Sequence, residues 1–174
     1  MEEIDFQSLL EYRSKLGGEP GYLWKMMGRG LWGVQNFESS MVTYIVLLLC
    51  PKGTPAQKAY DLLEKHNKKT MGQLLNKLKE HRKLPEDFEE RLNNFLNERN
   101  WLVHRLNREN HTDLYNPNKF NSLIARLDFI NNESKALTEM MVNLCHQSCI
   151  AEGVSKELLK EEEKRIWEEW TSGI

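Results

Sequence analysis

Arg99, Asn100 and His104 place a permanent cation, an amide and an imidazole within six residues of one another. A guanidinium can hold an anionic group such as a carboxylate or phosphate, and an imidazole can carry a proton near neutral pH. Asn100 and His104 are four apart, so on a regular α-helix they stand about 40° apart on one edge. Arg99 lies about 140° from His104 and about 7.5 Å along the axis, close enough for its long side chain to carry charge across a shared groove. Periodicity singles out Arg99 as well. Phe88, Leu92, Phe95, Leu102 and Leu106 form an apolar stripe whose missing member is position 99. A guanidinium there cannot shed its charge and needs a carboxylate, a phosphate or a wet cleft. Glu38 interrupts a second stripe, Val34, Met41, Ile45 and Leu48. Two unpaired charges in one small core would each be costly, so Glu38 is expected to meet Arg99.

The elements that must position these residues read as helices. The 3.6-residue period runs through 31–49, 56–65, 71–81, 86–111, 118–151 and 156–170, and no stretch alternates like a strand for long. Helix starts are marked at Thr54-Pro55-Ala56-Gln57, Thr70-Met71-Gly72-Gln73, Leu84-Pro85-Glu86-Asp87, Asn116-Pro117 and Ser155. The expected fold is all-α, an antiparallel bundle of five to six helices, with 86–111 and 118–151 forming a long hairpin. Residues 22–151 would be the bundle, 1–18 a further helical segment set off by Gly17-Gly18-Glu19-Pro20-Gly21, and 154–174 a docking or assembly helix. Leu23, Trp24, Leu31, Trp32, Trp167 and Trp170 exceed what a small core requires, which predicts a two-fold homodimer.

The segment Arg99-Asn100-Trp101-Leu102-Val103-His104 resembles the Arg-Asn-x-x-x-His signature of the HEPN superfamily (higher eukaryotes and prokaryotes nucleotide-binding). These are all-α bundles, many of them metal-independent ribonucleases. The resemblance is close on the signature helix and extends over 22–151 only as a helix layout. It implies that Arg99 binds the scissile phosphate and stabilises the phosphorane, that His104 is the general acid or base, and that Asn100 orients one of them. Attack by the ribose 2′-hydroxyl would leave a 2′,3′-cyclic phosphate and a 5′-hydroxyl. The resemblance also implies a homodimer with two motifs across a cleft, and a toxin or defence role with an antitoxin partner. Leu106 stands where antitoxin-paired relatives often carry tyrosine two residues after the histidine, which puts silencing by nucleotide transfer in doubt.

At 174 residues and 20.5 kDa the chain is one ordinary domain in size. Its 24 basic and 26 acidic residues leave a net charge of −2, so any nucleic-acid contact must be local. Residues 65–83 hold seven basic residues against Glu80. With Arg105, their Lys68 and Lys69 are candidate RNA-backbone contacts; a solvated face around a loop explains them equally well, because no aromatic is interleaved for stacking. Cys145-His146-x-x-Cys149 lacks the four ligands of a structural zinc site and reads as small core residues. No metal or cofactor is expected. Three cysteines and an acidic N-terminus point to a cytosolic, cytoplasmic protein, and the longest apolar run, Met41–Cys50, is half a membrane span. Two functions compete: a metal-independent endoribonuclease, and a non-catalytic helical module that binds a nucleotide or partner.

Overall fold

The computed structural model describes residues 20–81, 84, 86–110, 113 and 116–172, the side chains of Pro20, Pro117, Asn118 and Trp170 excepted. The segment 1–18, Pro85, His111 and the side chain of Trp170 lie outside that set. The described elements are helical: α1 (Pro20–Leu49), α2 (Ala56–Asn67), α3 (Met71–His81), α4 (Glu86–Asn100), a π turn (Trp101–Arg105), α5 (Leu106–Asn110), α6 (Pro117–Ala151) and α7 (Lys156–Ser172). No described residue is in a strand, and no described helix is long and apolar enough to cross a membrane.

Three helix starts follow the sequence signals. Thr70 and Gln73 close a reciprocal box, the Thr70 N–H donating to Gln73 Oε1 at 3.0 Å and the Gln73 N–H to Thr70 Oγ1 at 3.4 Å. Asn116 Oδ1 accepts from the Lys119 N–H, and Ser155 Oγ from the Leu158 N–H. Thr54 departs from expectation. Its hydroxyl donates back to Pro51 O at 2.7 Å, and α2 begins without a side-chain cap. Gly53, at φ +89°, supplies the left-handed residue of that Pro51–Thr54 turn, which takes the hydroxyl away from the helix.

α1 also starts eleven residues earlier than its apolar period, at Pro20, and runs through Gly28, Gly30 and Gly33. Proline is at home in a first turn, and two of the glycines serve packing. A Cβ on Gly30 would sit 3.1 Å from Leu102 Cδ2, and one on Gly33 only 2.2 Å from Ser134 Oγ. Side-chain-free backbone lets α6 come close, at a helix-propensity cost of about 1 kcal/mol per glycine.

Where the chain's size suggests one core, its buried residues fall into two compact units: one with the residues to Glu38 and Lys83–Thr138, the other with Ser39–Arg82 and the residues from Glu139 on. In the first, Phe37 and Phe95 meet edge to face with centroids 5.4 Å apart. Around them Leu23, Met26, Val34, Leu92, Leu127 and Ile130 are buried. Two ion pairs fix the direction of the hairpin. Arg91 pairs with Glu133 and Glu98 with Arg126, so seven residues forward on α4 match seven backward on α6. In the second unit Tyr44, Ile45, Met71, Leu74, Leu75 and Leu78 form an apolar interior, with Met141.

Candidate active site on the π turn

The first unit brings Glu38, Arg99, Asn100 and His104 together. Arg99 Nε donates to Glu38 Oε1 at 3.0 Å, and both side chains are mostly buried, 16% and 23% exposed. Arg99 Nη1 donates to Asn100 Oδ1 at 3.3 Å and lies 3.2 Å from His104 Nε2. A guanidinium can only donate, so Nε2 must present its lone pair there and the ring proton must sit on Nδ1. Among the described residues nothing engages Nη2, so the two donors of that nitrogen remain for an incoming oxyanion. His104 is exposed.

On a regular α-helix Arg99 and His104 would stand about 140° apart. The structure corrects that geometry. Residues 101–105 form a π turn, closed by the Leu106 N–H donating to Trp101 O, five residues back. Such a turn spends five residues where the α-helix spends four, so residues five apart stack as residues four apart normally do. His104 is thereby swung back onto the Arg99 face.

The same turn buries Trp101, which the apolar stripe had omitted. Its Nε1–H donates to Asn110 Oδ1 at 3.1 Å, and the Arg126 guanidinium lies 3.8 Å from its ring centroid. Arg126 is held in turn by two hydrogen bonds to Glu98, at 2.6 and 2.9 Å. Asn110 Nδ2 donates to Asp113, which pairs with Lys119 at 3.2 Å. A cavity of about 320 Å³ is bounded by Trp101, Asn110, Asp113, Lys119, Ser122 and Arg126. A second, of about 260 Å³, lies against Leu23, Trp24, Met27, Leu106 and Leu123. Neither is lined by Arg99 or His104. No single-residue pattern marks Trp101, Asn110 or Arg126, because their relation is made by tertiary folding.

The other sequence candidates are placed less centrally. Arg105 donates to Asn97 O at 3.5 Å and lies 3.9 Å from Glu109, so it is engaged on its own helix. Lys68 and Lys69 belong to the second unit, in the turn after α2. That turn follows His66, which is 1% exposed with no hydrogen-bond partner for Nδ1 among the described residues. Burial first, and then the charges of Lys69, Lys65, Lys77 and His81, hold its pKa below the ordinary 6.5. Cys145 and Cys149 are half-buried rather than core, and burial pushes the Cys145 thiol up to about 11. Met141 is buried, whereas Met140 is half-buried. Among the described residues no cluster of three or more His, Cys, Asp or Glu could hold a metal ion. Of the residues expected to dimerise, Leu23 is core, while Trp24, Leu31, Trp32 and Trp167 are exposed. No family model, curated protein or solved structure matches this chain.

Proposed function

We propose that the chain is a HEPN-like, metal-independent endoribonuclease of toxin or defence type, acting as a homodimer and restrained by an antitoxin. The observation that carries this reading is the contact of Arg99 Nη1 with His104 Nε2, made while Glu38 holds the opposite side of the guanidinium. Arg99 Nη2 would bind a phosphoryl oxygen and stabilise the added charge of the phosphorane. The exposed His104 ring would turn its Nε2 lone pair from Nη1 to the ribose 2′-hydroxyl and take its proton. The 2′-oxygen then bonds to phosphorus, the bond to the 5′-oxygen breaks, and the imidazolium returns the proton to that leaving oxygen. The balance is a 2′,3′-cyclic phosphate and a 5′-hydroxyl.

The test is cleavage of end-labelled RNA in EDTA. The wild-type chain should cut and leave cyclic phosphate ends, and His104→Ala should lose roughly 10²–10⁴-fold in rate with its helical melting transition intact. A wild-type chain that binds but never cuts RNA would favour the alternative, a non-catalytic nucleotide- or partner-binding module.

A further inference from the structure

From the geometry of the π turn we infer that Trp101, Asn110 and Arg126 are positioning residues that hold the turn open and so set the contact between Arg99 and His104. The bond from Trp101 Nε1 to Asn110 Oδ1 spans nine residues. Along a straight α-helix, residues nine apart are separated by about 13.5 Å of rise and half a revolution, so their side chains would face opposite ways. The bond is therefore available to the chain with its π turn and unavailable to the straight helix. It adds its free energy to one of the two conformations only, as a device that selects between them must.

Arg126 works on the same tryptophan from α6. Its guanidinium lies over the indole while both its forks engage Glu98, the residue before Arg99. The indole, 1% exposed, is thus held on its ring face by Arg126 and at its nitrogen by Asn110. Asn110 is oriented by its second bond, from Nδ2 to Asp113, which Lys119 steadies. Were the turn to relax to α geometry, Leu106 N–H would return to Leu102 O, and His104 would rotate away from Nη1. None of the three residues needs to touch a substrate to act in this way.

The inference deepens the ribonuclease reading and rests on it for activity alone; the state of the His104 ring is read without any substrate. In the wild-type protein, nitrogen-15 NMR should show His104 with its proton on Nδ1 and an accepting Nε2. A coupling across the hydrogen bond should connect the Leu106 amide to the Trp101 carbonyl. Trp101→Phe and Asn110→Ala should each lower the Nδ1–H share of the His104 ring at least twofold, with the double variant no lower than either single one. If RNA is cut, kcat should fall roughly 100-fold with KM unchanged, the scale on which a misplaced catalytic group loses rate. An amide coupling from Leu106 to Leu102 in the wild-type chain would overturn the inference whether or not the variants fold. So would folded variants whose His104 signals match the wild type. A wild-type chain that does not cut RNA yet shows both NMR results would remove the ribonuclease and leave the positioning residues standing.

Discussion

The two units treat polar groups inside a helical core in opposite ways. In the first, each charge that interrupts a helix face is answered from another helix: Arg99 by Glu38, Arg91 by Glu133, and Arg126 by Glu98. Its buried Ser134 hydroxyl donates to Asn131 O at 2.9 Å. In the second, His66 is a buried polar side chain whose Nδ1 has no partner among the described residues and whose near neighbours are cations. Satisfied polar groups that converge, with donors left over, make a place where a ligand can be held. An unsatisfied group inside a ring of like charge makes a weak point in the fold. The lesson is to ask of a buried polar group what faces it, before asking what it could catalyse.

The most severe way to break that contrast is at Arg99. Arg99→Ala leaves Glu38 without its cation and removes the proposed phosphate donor, so RNA cleavage should fall by roughly 10²–10³-fold, the scale of a lost oxyanion donor. Lys69→Ala, in the other unit, should change the rate less than tenfold in 0.15 M salt. Equal losses would move the functional weight to the basic turn.

Glu38→Gln tests the same pair through stability. The pair is mostly but not wholly out of water, so the loss should fall below the 3–5 kcal/mol of a fully buried pair, at about 2 kcal/mol by urea denaturation. Lys77→Gln, which breaks an exposed pair with Glu80 in the second unit, should cost under about 0.5 kcal/mol. A Glu38 variant as mild as the lysine variant would show that water already satisfies the guanidinium.

Gly33 and Gly28 sharpen the comparison within α1. Gly33→Ala must displace Ser134, whose Oγ would lie 2.2 Å from the new carbon, and should cost roughly 1–3 kcal/mol as an overpacked contact. Gly28→Ala meets nothing within 4 Å and should gain about 0.5–1 kcal/mol from helix propensity. Thermal melting of both variants decides it, and a shift of the same sign in each would refute the close α1–α6 approach.

How much of this the sequence disclosed depends on whether the signal was local. Arg99 and Glu38 stood out because a charge inside a periodic apolar stripe is visible without a partner, and the box at Thr70 and the cap at Ser155 are each complete within four residues. The π turn is not visible in that way. Leu102 and Leu106 also fit the unbroken stripe, so the inserted residue leaves no phase error to detect. Trp101 was missed for the same reason, because its burial follows from the rotated helix and from Arg126, which is remote in sequence. Gly30 and Gly33 carry no packing signal in the sequence, since a glycine chosen for close approach looks like any other until the neighbouring helix is in place.

His66 offers the last test, by pH. Its imidazole is held neutral by burial and by Lys69, Lys65, Lys77 and His81, so its folded pKa lies below the unfolded value of 6.5. Between those two values the unfolded chain binds more protons than the folded one, and stability therefore rises with pH there and is lost as pH falls through the same window. The second unit should thus melt at progressively lower temperature as the buffer moves from pH 7 toward pH 5. His66→Phe removes both the titrating group and the orphaned Nδ1 while keeping a ring in the interior. At pH 7 it should be neutral or stabilising by up to about 1 kcal/mol, because the unsatisfied atom is gone. Relative to the wild-type chain, its melting temperature should also depend less on pH across that window. If the two proteins show parallel pH profiles, His66 is not the group whose protonation opens the second unit, and its missing partner costs the fold nothing.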